Sequence, residues 1–485
     1  MNFSLYTIGL SIYILILTGV IFKILFETYS TGKSLAYLLL CLFVPVAGII
    51  FYLLFGVNYW KKKRYSKKMK EDGIMLQHIR NSIEVYDKAT INARNNATEQ
   101  HAELSAMLLK DLGSPLTGTN HVTLLANGEK KFPELLTSVK TATHHIHIEY
   151  YIYECDDTGM PLIELLIEKA KQGVKVRFIY DDFGSPGINL KLERRMTAAG
   201  IEIHAFYKIK FYLLANRFNY RNHRKIIIID GHTAFIGGIN VSDRYVNNDI
   251  PGKLYWRDTH IKIEGPGVYY LQYLFISDWN FCCAEKKFIP DAKYFAAPES
   301  TKHKCFVQIA ASGPDSPLPS ILFSVLQAIN LAKKEILITT PYFIPGDSIM
   351  DALCMAALSG LNVKLLVPGI SDSGFVNAAS QSYYTRLLVA GVEVYLYKKG
   401  FVHAKTMVTD SSLSIVGTAN MDHRSYELNF EVNAVVYDTA FGKEMTELFM
   451  QDLENAEKIN KEQWLARSWG KQLPEKVARL FSPVL

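Results

Sequence analysis

The sequence predicts an α/β fold: two tandem, duplicated α/β domains behind a pair of apolar N-terminal helices. One observation is a long motif that occurs twice, with residues 222–240 reading NHRKIIIIDGHTAFIGGIN and residues 402–420 reading VHAKTMVTDSSLSIVGTAN. Another is an alternation of strand-like and helix-like segments that runs through the chain twice in the same order, as duplicated α/β units require. The third is a pair of uncharged apolar stretches, 5–22 and 34–60, each long enough to cross a hydrocarbon core of about 30 Å as a helix.

At the N-terminus, residues 1–60 read as two transmembrane helices. No basic segment precedes the first run and no small-residue cleavage site follows it, so it reads as retained and not as a cleaved signal peptide. Pro45 and Gly48 interrupt the second run, which admits a kinked or partly re-entrant helix there. Lys61, Lys62, Lys63, Arg64, Lys67, Lys68 and Lys70 follow at once and outweigh Lys23 and Lys33 on the other side. That asymmetry predicts a cytoplasmic location for everything after Trp60, with the cluster against anionic headgroups.

Residues 61–117 form a basic juxtamembrane and connecting segment, polar and weakly helical. The first α/β domain, 118–295, has strands at 145–153, 174–180 and 201–206 and helices at 161–172 and 190–200. The second, 296–460, repeats the order with a strand at 335–343, a helix at 348–359, a strand at 363–367 and a helix at 380–390. Gly200 aligns with Gly391, 191 positions on, whereas His223 and His403 are 180 apart. The first half therefore holds 11 extra residues between these landmarks. They fall in 208–221 (KIKFYLLANRFNYR), a basic and aromatic insertion that reads equally as cover for a site mouth and as a structural excursion. In the tail, 461–485, Leu465, Trp469, Leu473, Val477, Leu480 and Phe481 recur at helical steps, while Arg467, Lys471, Lys476 and Arg479 lie largely elsewhere. Pro474 is expected to break or kink this helix. Its apolar face suits packing on the second domain or lying in a membrane interface.

Composition narrows the function classes. A hydrophobic content of 49% over 485 residues supports large cores, and a net charge of +6 does not mark a nucleic-acid binder by itself. Six cysteines without CxxC or framework spacing read as free thiols in a reducing compartment. The adjacent Cys282 and Cys283 read as packing residues ahead of acylation sites.

Each copy of the motif carries His-x-Lys-x4-Asp, a Gly seven residues on and an Asn three after that. His223, Lys225, Asp230, Gly237 and Asn240 thus match His403, Lys405, Asp410, Gly417 and Asn420. In an extended segment residues i and i+2 share a face, which sets an imidazole beside a fixed ammonium. Such a pair suits a phosphate ester, because the Lys holds the oxyanion and the His attacks phosphorus or moves a proton near pH 7. Phosphodiester exchange needs a nucleophile, a proton donor for the leaving alkoxide and cations for the phosphoryl oxygens. Two His and two Lys meet all three needs, so no cofactor and no metal are expected. His144, His145 and His147 cluster without a Cys or carboxylate to complete a metal set. Asp181, Asp182, Gly184 and Ser185 end a strand in a loop that either lines the pocket or is turn chemistry alone.

The doubled HKD motif resembles the signature of the phospholipase D superfamily. That resemblance implies two phospholipase D-like α/β domains about a pseudo-two-fold axis, with both motifs meeting in one pocket. It implies that His223 is the nucleophile and His403 the general acid and base, an order that motif symmetry alone leaves open. It also places an acidic residue downstream to orient each His, which Asp258 in WRD and Glu431 in NFE match, and assigns Asn240 and Asn420 to the phosphate. Asp230 and Asp410 belong to the catalytic motif but read as serving geometry more than proton transfer. The N-terminal runs with HIHIEYYIY, GVKVRFIYDDFGS, WRDTHIKIEGP and TTPYFIP resemble bacterial cardiolipin synthases. This likeness implies phosphatidylglycerol as substrate, an anionic membrane as surroundings and no nucleic-acid partner, with oligomeric state open. A hydrolytic phospholipase D and a non-catalytic lipid-binding scaffold are the alternatives.

Overall fold

The computed structural model describes residues 5–27, 31–44, 46–55, 96–206, 220–248, 252–283, 287–295 and 305–482. They divide into one unit centred on the N-terminal apolar helices and another that holds both α/β halves. The basic cluster at 61–70, Pro45 and most of the insertion at 208–221 lie outside the described residues.

The first apolar run folds as the helix Leu5–Glu27, 23 residues long, or about 34 Å at 1.5 Å per residue. Among the described residues it supplies the one helix long and apolar enough to cross a membrane. The second run is not one span. It folds as the helices Thr31–Phe43 and Ala47–Phe55, about 20 and 14 Å long, each shorter than the hydrocarbon core. Between them Val46 takes a φ of 63°, which ends the helical path. The expectation of two spanning helices therefore meets one helix of spanning length and a broken pair.

In the larger unit the first half contributes β1 (Thr117–Ala126), β2 (His145–Tyr150), β3 (Lys175–Asp181), β4 (Glu202–Phe206), β5 (Lys225–Ile229), β6 (Thr233–Gly237), β7 (Trp256–Arg257) and β8 (Thr259–Glu264). The second contributes β9 (Cys305–Ser312), β10 (Glu335–Thr339), β11 (Phe343–Ile344), β12 (Asn362–Pro368), β13 (Glu393–Tyr397), β14 (Phe401–Val402), β15 (Thr406–Thr409), β16 (Leu413–Gly417), β17 (Met421–Asp422), β18 (Glu431–Tyr437) and β19 (Ala456–Lys458). Fifteen of them form one sheet in the order β19-β13-β12-β10-β15-β16-β18-β9-β1-β8-β6-β5-β2-β3-β4. Outward from the antiparallel β9–β1 pair the two directions present the same pattern, four antiparallel pairings and then three mutually parallel strands. The sequence repeat is thus a repeat of strand order, with β19 as an added edge.

Burial explains the sequence of the motif strands. Ile226, Ile227, Ile228 and Ile229 of β5 are all buried, as a strand covered on both faces requires. Each half has its own apolar core, one around Ile146, Ile148, Phe178 and Ile227 and the other around Ile336, Ile338, Leu365 and Met407. The connecting segment is more than a linker. Its helix Ala102–Leu112 inserts Leu104 and Leu108, both fully buried, into the second of these cores, so the weak helical pattern there marks a packed face. Two predicted strands are shorter than expected. β2 stops at Tyr150, and β10 stops at Thr339 before the chain leaves the large sheet to pair Phe343–Ile344 with β17.

Candidate active site

Two short exchanges between the halves build the site. β7 pairs in parallel with β14, so that the His403 N–H donates to the Arg257 carbonyl at 2.7 Å. In the mirror position Asn222 bridges to Phe430, and the His223 N–H donates to the Phe430 carbonyl at 2.9 Å. Each motif histidine is therefore fixed, by its backbone, to the residue just before the acid of the opposite half. The side chains follow. His223 Nδ1 lies 2.9 Å from the Glu431 carboxylate, and His403 Nδ1 lies 2.7 Å from Asp258 Oδ2. The pairing is crossed: the acid next downstream of each histidine in sequence orients the other one.

Both carboxylates are held by further donors. Thr418 Oγ1 donates to Glu431 at 2.5 Å and Asn429 Nδ2 at 3.1 Å, while the Thr259 N–H donates to Asp258 at 2.7 Å. With Nδ1–H directed at a carboxylate, the neutral imidazole keeps its lone pair on Nε2, the atom that attacks or accepts a proton. The lysines lie beneath. Lys225 Nζ donates to the His223 carbonyl at 2.8 Å, and Lys405 Nζ does the same to that of His403.

Burial sets the protonation states. It pushes the Lys225 ammonium down to about 7 and Lys405 to about 8, against the pull of Glu431 and Asp258 respectively. Desolvation, with Lys405 beside it, lowers His403 to about 3, and desolvation lowers His223 as well. Burial alone would raise Asp258 and Glu431, but the neighbouring His and Lys groups hold both below the usual carboxylate range. His223 also feels Lys405 and His403 feels Lys225, so the two motifs share one electrostatic site. Between about 7 and the ordinary 10.5 the folded chain binds fewer protons than the unfolded one, so Lys225 opposes folding most below pH 7 and least near 10.5. For anion binding the order is reversed, because ammonium is lost as pH rises. KM for an anionic phosphodiester is expected to rise several-fold from pH 7 to 9 at constant ionic strength, and a flat KM would show that the lysines do not hold the phosphate.

Asp230 and Asp410, expected within the catalytic motif, are not in the pocket. Asp230 follows the last residue of β5, at the far end from His223, and its carboxylate accepts from the N–H groups of Thr143, His144 and His145 at 2.7, 2.8 and 2.9 Å. Asp410 does the same for Lys333, Lys334 and Glu335 at 2.7, 2.7 and 2.9 Å. This placement fits a role in geometry and has a plain cause: the free N–H groups at the starts of β2 and β10 need acceptors, and the motif turn supplies one in each half. Asp230 and Asp410 take φ of 50° and 53° in those turns. Burial would raise the Asp230 carboxyl, but these backbone donors outweigh it and hold it low. Its contribution is therefore present above the ordinary carboxylate range and lost as pH falls through the lowered value. Asp230→Ala is expected to cost about 2 kcal/mol of stability. Activity per folded molecule should stay near normal at low temperature, which a thermal melt beside an assay at 15 °C would check.

Asn240 accepts from the Ile152 N–H at 3.3 Å and donates to the Tyr245 hydroxyl at 2.7 Å. The Asn420 N–H donates to Ser425 Oγ at 3.1 Å, and its side chain is buried. The motif glycines are demanded by close strand approach: a Cβ at Gly237 would stand 2.6 Å from Thr259 O, and one at Gly417 2.5 Å from Val432 O. Among the described residues no His, Cys, Asp and Glu set could hold a metal ion. His145 and His147 pack instead against Tyr294, and His147 against Phe275. Asp181 is a turn acceptor for Phe183 and Gly184 that also receives the Asn222 N–H at 3.2 Å.

Two features escape the sequence reading. Lys131 is fully buried, donates to the Ile239 carbonyl at 3.1 Å and faces the Tyr150 ring. Its only signal is its place on the apolar stripe with Phe132, Leu135 and Val139. Arg224, between the motif His and Lys, forms a buried ion pair with Asp278, and Asn222 donates to the buried Glu149. In the second motif the matching residue is Ala404, so this ionic cluster belongs to the His223 side alone.

A duplicated α/β sheet that brings a His-Lys pair from each half into one electrostatic site, with crossed carboxylates, defines a phospholipase D-like protein. Residues 135–256 and 325–453 match the family described as cardiolipin synthase, PLD-like domain, and the chain belongs to that family. It is 40% identical to the major cardiolipin synthase of Bacillus subtilis, over 97% of both chains. It is 39% identical to a cardiolipin synthase of Geobacillus kaustophilus, over 95% of this chain and 90% of that one. Among solved structures a phosphatidylserine synthase of Haemophilus influenzae superposes with a TM-score of 0.60 at 12% identity, covering 79% of this chain and all of that one. That likeness is one of fold.

Proposed function

We propose that this chain is a phosphatidyltransferase that joins two phosphatidylglycerol molecules into cardiolipin and releases glycerol. The observation that carries the reading is the pair of histidines, each with Nδ1 on a carboxylate of the opposite half and a lysine beneath it. In this reading His223 Nε2 attacks phosphorus of the first lipid, the phosphorus–glycerol bond breaks, and His403 gives a proton to the departing glycerol oxygen. The bound phosphodiester's negative charge offsets Lys405 and raises His403 toward the protonated form this step requires. His403, now neutral, takes the proton from the terminal glycerol hydroxyl of the second lipid as that oxygen displaces His223. One phosphodiester replaces another, so the covalent intermediate conserves the ester between the two alcohols. Asn240 and Asn420 are assigned to orienting the phosphate.

Membrane placement belongs to the same proposal. Leu5–Glu27 spans, the broken pair enters the bilayer after it, and the lysine-rich flank at 61–70 keeps both catalytic halves, 118–295 and 296–460, on the cytoplasmic side of a bacterial membrane. Lipid chromatography of membranes that express the wild-type chain or His223→Ala tests the function. A cardiolipin band in the first alone supports the synthase. Phosphatidic acid without cardiolipin would establish hydrolysis instead. Because ammonium groups occupy the place where metal-dependent phosphoryl transferases set their cations, activity should persist in excess EDTA. Loss restored by one specific divalent ion would show that this assignment of the cations is wrong.

A further inference from the structure

The C-terminal helix Trp469–Arg479 has two opposed faces, and the wrong one for a packing helix is turned inward. Glu475, Ala478 and Ser482 are buried, with Ala478 beside Ala379 and Ile344. Arg467 makes a two-pronged pair with Glu475 at 2.6 and 3.0 Å, and the Tyr383 hydroxyl donates to Ser482 Oγ at 3.0 Å. The opposite face carries Trp469, Leu473, Val477 and Leu480, spaced four, four and three apart, with exposures of 76, 47, 46 and 76%. Phe481 extends the patch to Phe375, ring centroids 5.6 Å apart, and both rings are about half exposed. Lys476 and Arg479 are exposed on the flank of this patch. Pro474 does not divide the helix. The break falls earlier, between Leu465 and Trp469, and leaves Pro474 in the second turn, where only the bond to the residue 470 carbonyl is forgone.

We propose that this face is a membrane-docking surface whose apolar stripe enters the headgroup boundary of an anionic bilayer. A helix that merely completes a globular core buries its large apolar side chains and exposes its polar ones. Here small and polar residues anchor the helix, and an indole, three aliphatic side chains and a phenyl ring face outward among cations, the composition of an interfacial helix. A second copy of the chain is the poorer occupant, since pairing two such faces would bring four cations, Lys476 and Arg479 of each copy, together. Docking is a membrane contact additional to the N-terminal helices, and it rests on the lipid-substrate reading only for its effect on turnover.

Full-length protein is reconstituted in phosphatidylglycerol vesicles with brominated acyl chains, and tryptophan emission is compared between wild type and Trp469→Phe. Wild type is expected to show a bromine-quenched component that Trp469→Phe lacks and that shrinks as salt rises. Leu473→Ser/Val477→Ser/Leu480→Ser is expected to lose about tenfold in activity on vesicles and less than twofold in detergent micelles. Trp469 emission indifferent to bromolipid overturns docking, as does equal loss in both media with a lowered melting point. Concentration-dependent cross-linking through a Leu480→Cys probe would instead assign the face to a second copy and overturn it too. Quenching of Trp469 in a chain that makes no cardiolipin would refute the proposed reaction and leave docking standing.

Discussion

His223→Ala and His403→Ala are each expected to lower cardiolipin formation by about 10⁴-fold or more, with unchanged melting temperatures. General acid and base catalysis by a positioned side chain contributes typically about 10²–10⁴-fold, and loss of a covalent nucleophile removes the pathway altogether. The two defects differ in kind. With a donor labelled in its phosphatidyl group, His223→Ala should trap no covalent label, because the nucleophile of the proposed reaction is then absent. His403→Ala should label slowly, since the glycerol alkoxide must leave without its proton, and should then stall because no base activates the second lipid. Label absent from His403→Ala and present in His223→Ala would exchange the two roles and preserve the reaction. Near wild-type synthesis by either variant would remove the mechanism. Folding is not expected to confuse the result, for the backbone N–H bonds to Phe430 and Arg257 survive truncation of either side chain.

What the sequence could reveal follows the range of the interactions concerned. Strand spacing is local, so the neighbourhood of His223 with Lys225 and of His403 with Lys405 was legible from i and i+2 alone. The α/β alternation and its duplication were legible for the same reason, and the strand order repeats accordingly. Asp258 and Glu431 could be selected by pattern, but their partners could not: Glu431 lies 208 residues from His223, and Asp258 lies 145 from His403. That Asp230 and Asp410 serve geometry was legible, but the N–H groups they accept from were not, because a motif records which residues recur and not which atoms they meet. Hydropathy saw the second apolar run as one span, since a sum over residues does not register the reversal at Val46. In the tail the helical stripe was evident, and which side it shows to the protein was decided by Arg467, Tyr383 and Ala379, contacts that periodicity does not encode.

The crossed pairing yields the second large effect. Glu431→Gln should lower synthesis by about 10³–10⁴-fold, as expected when a histidine is held in the wrong tautomer. The amide can donate to Nδ1 as a carboxylate cannot, which moves the His223 proton to Nε2 and removes the lone pair that the proposed reaction directs at phosphorus. Since the sharing of Glu431 with Thr418 and Asn429 is local to the second half, a reader of sequence alone would assign the damage to His403. The geometry assigns it to His223. Glu431→Gln should therefore fail to form the covalent intermediate, and its defect should not add to that of His223→Ala, as for residues that act as a unit. Asp258→Asn should behave in the opposite way, forming the intermediate slowly and stalling before the second transfer, because His403 then lacks the carboxylate that stabilises its imidazolium. Trapped label measured over a single turnover separates the two variants. Labelling of Glu431→Gln at the wild-type rate, together with additive losses in the Glu431→Gln/His223→Ala pair, would show that the acid serves the histidine of its own half.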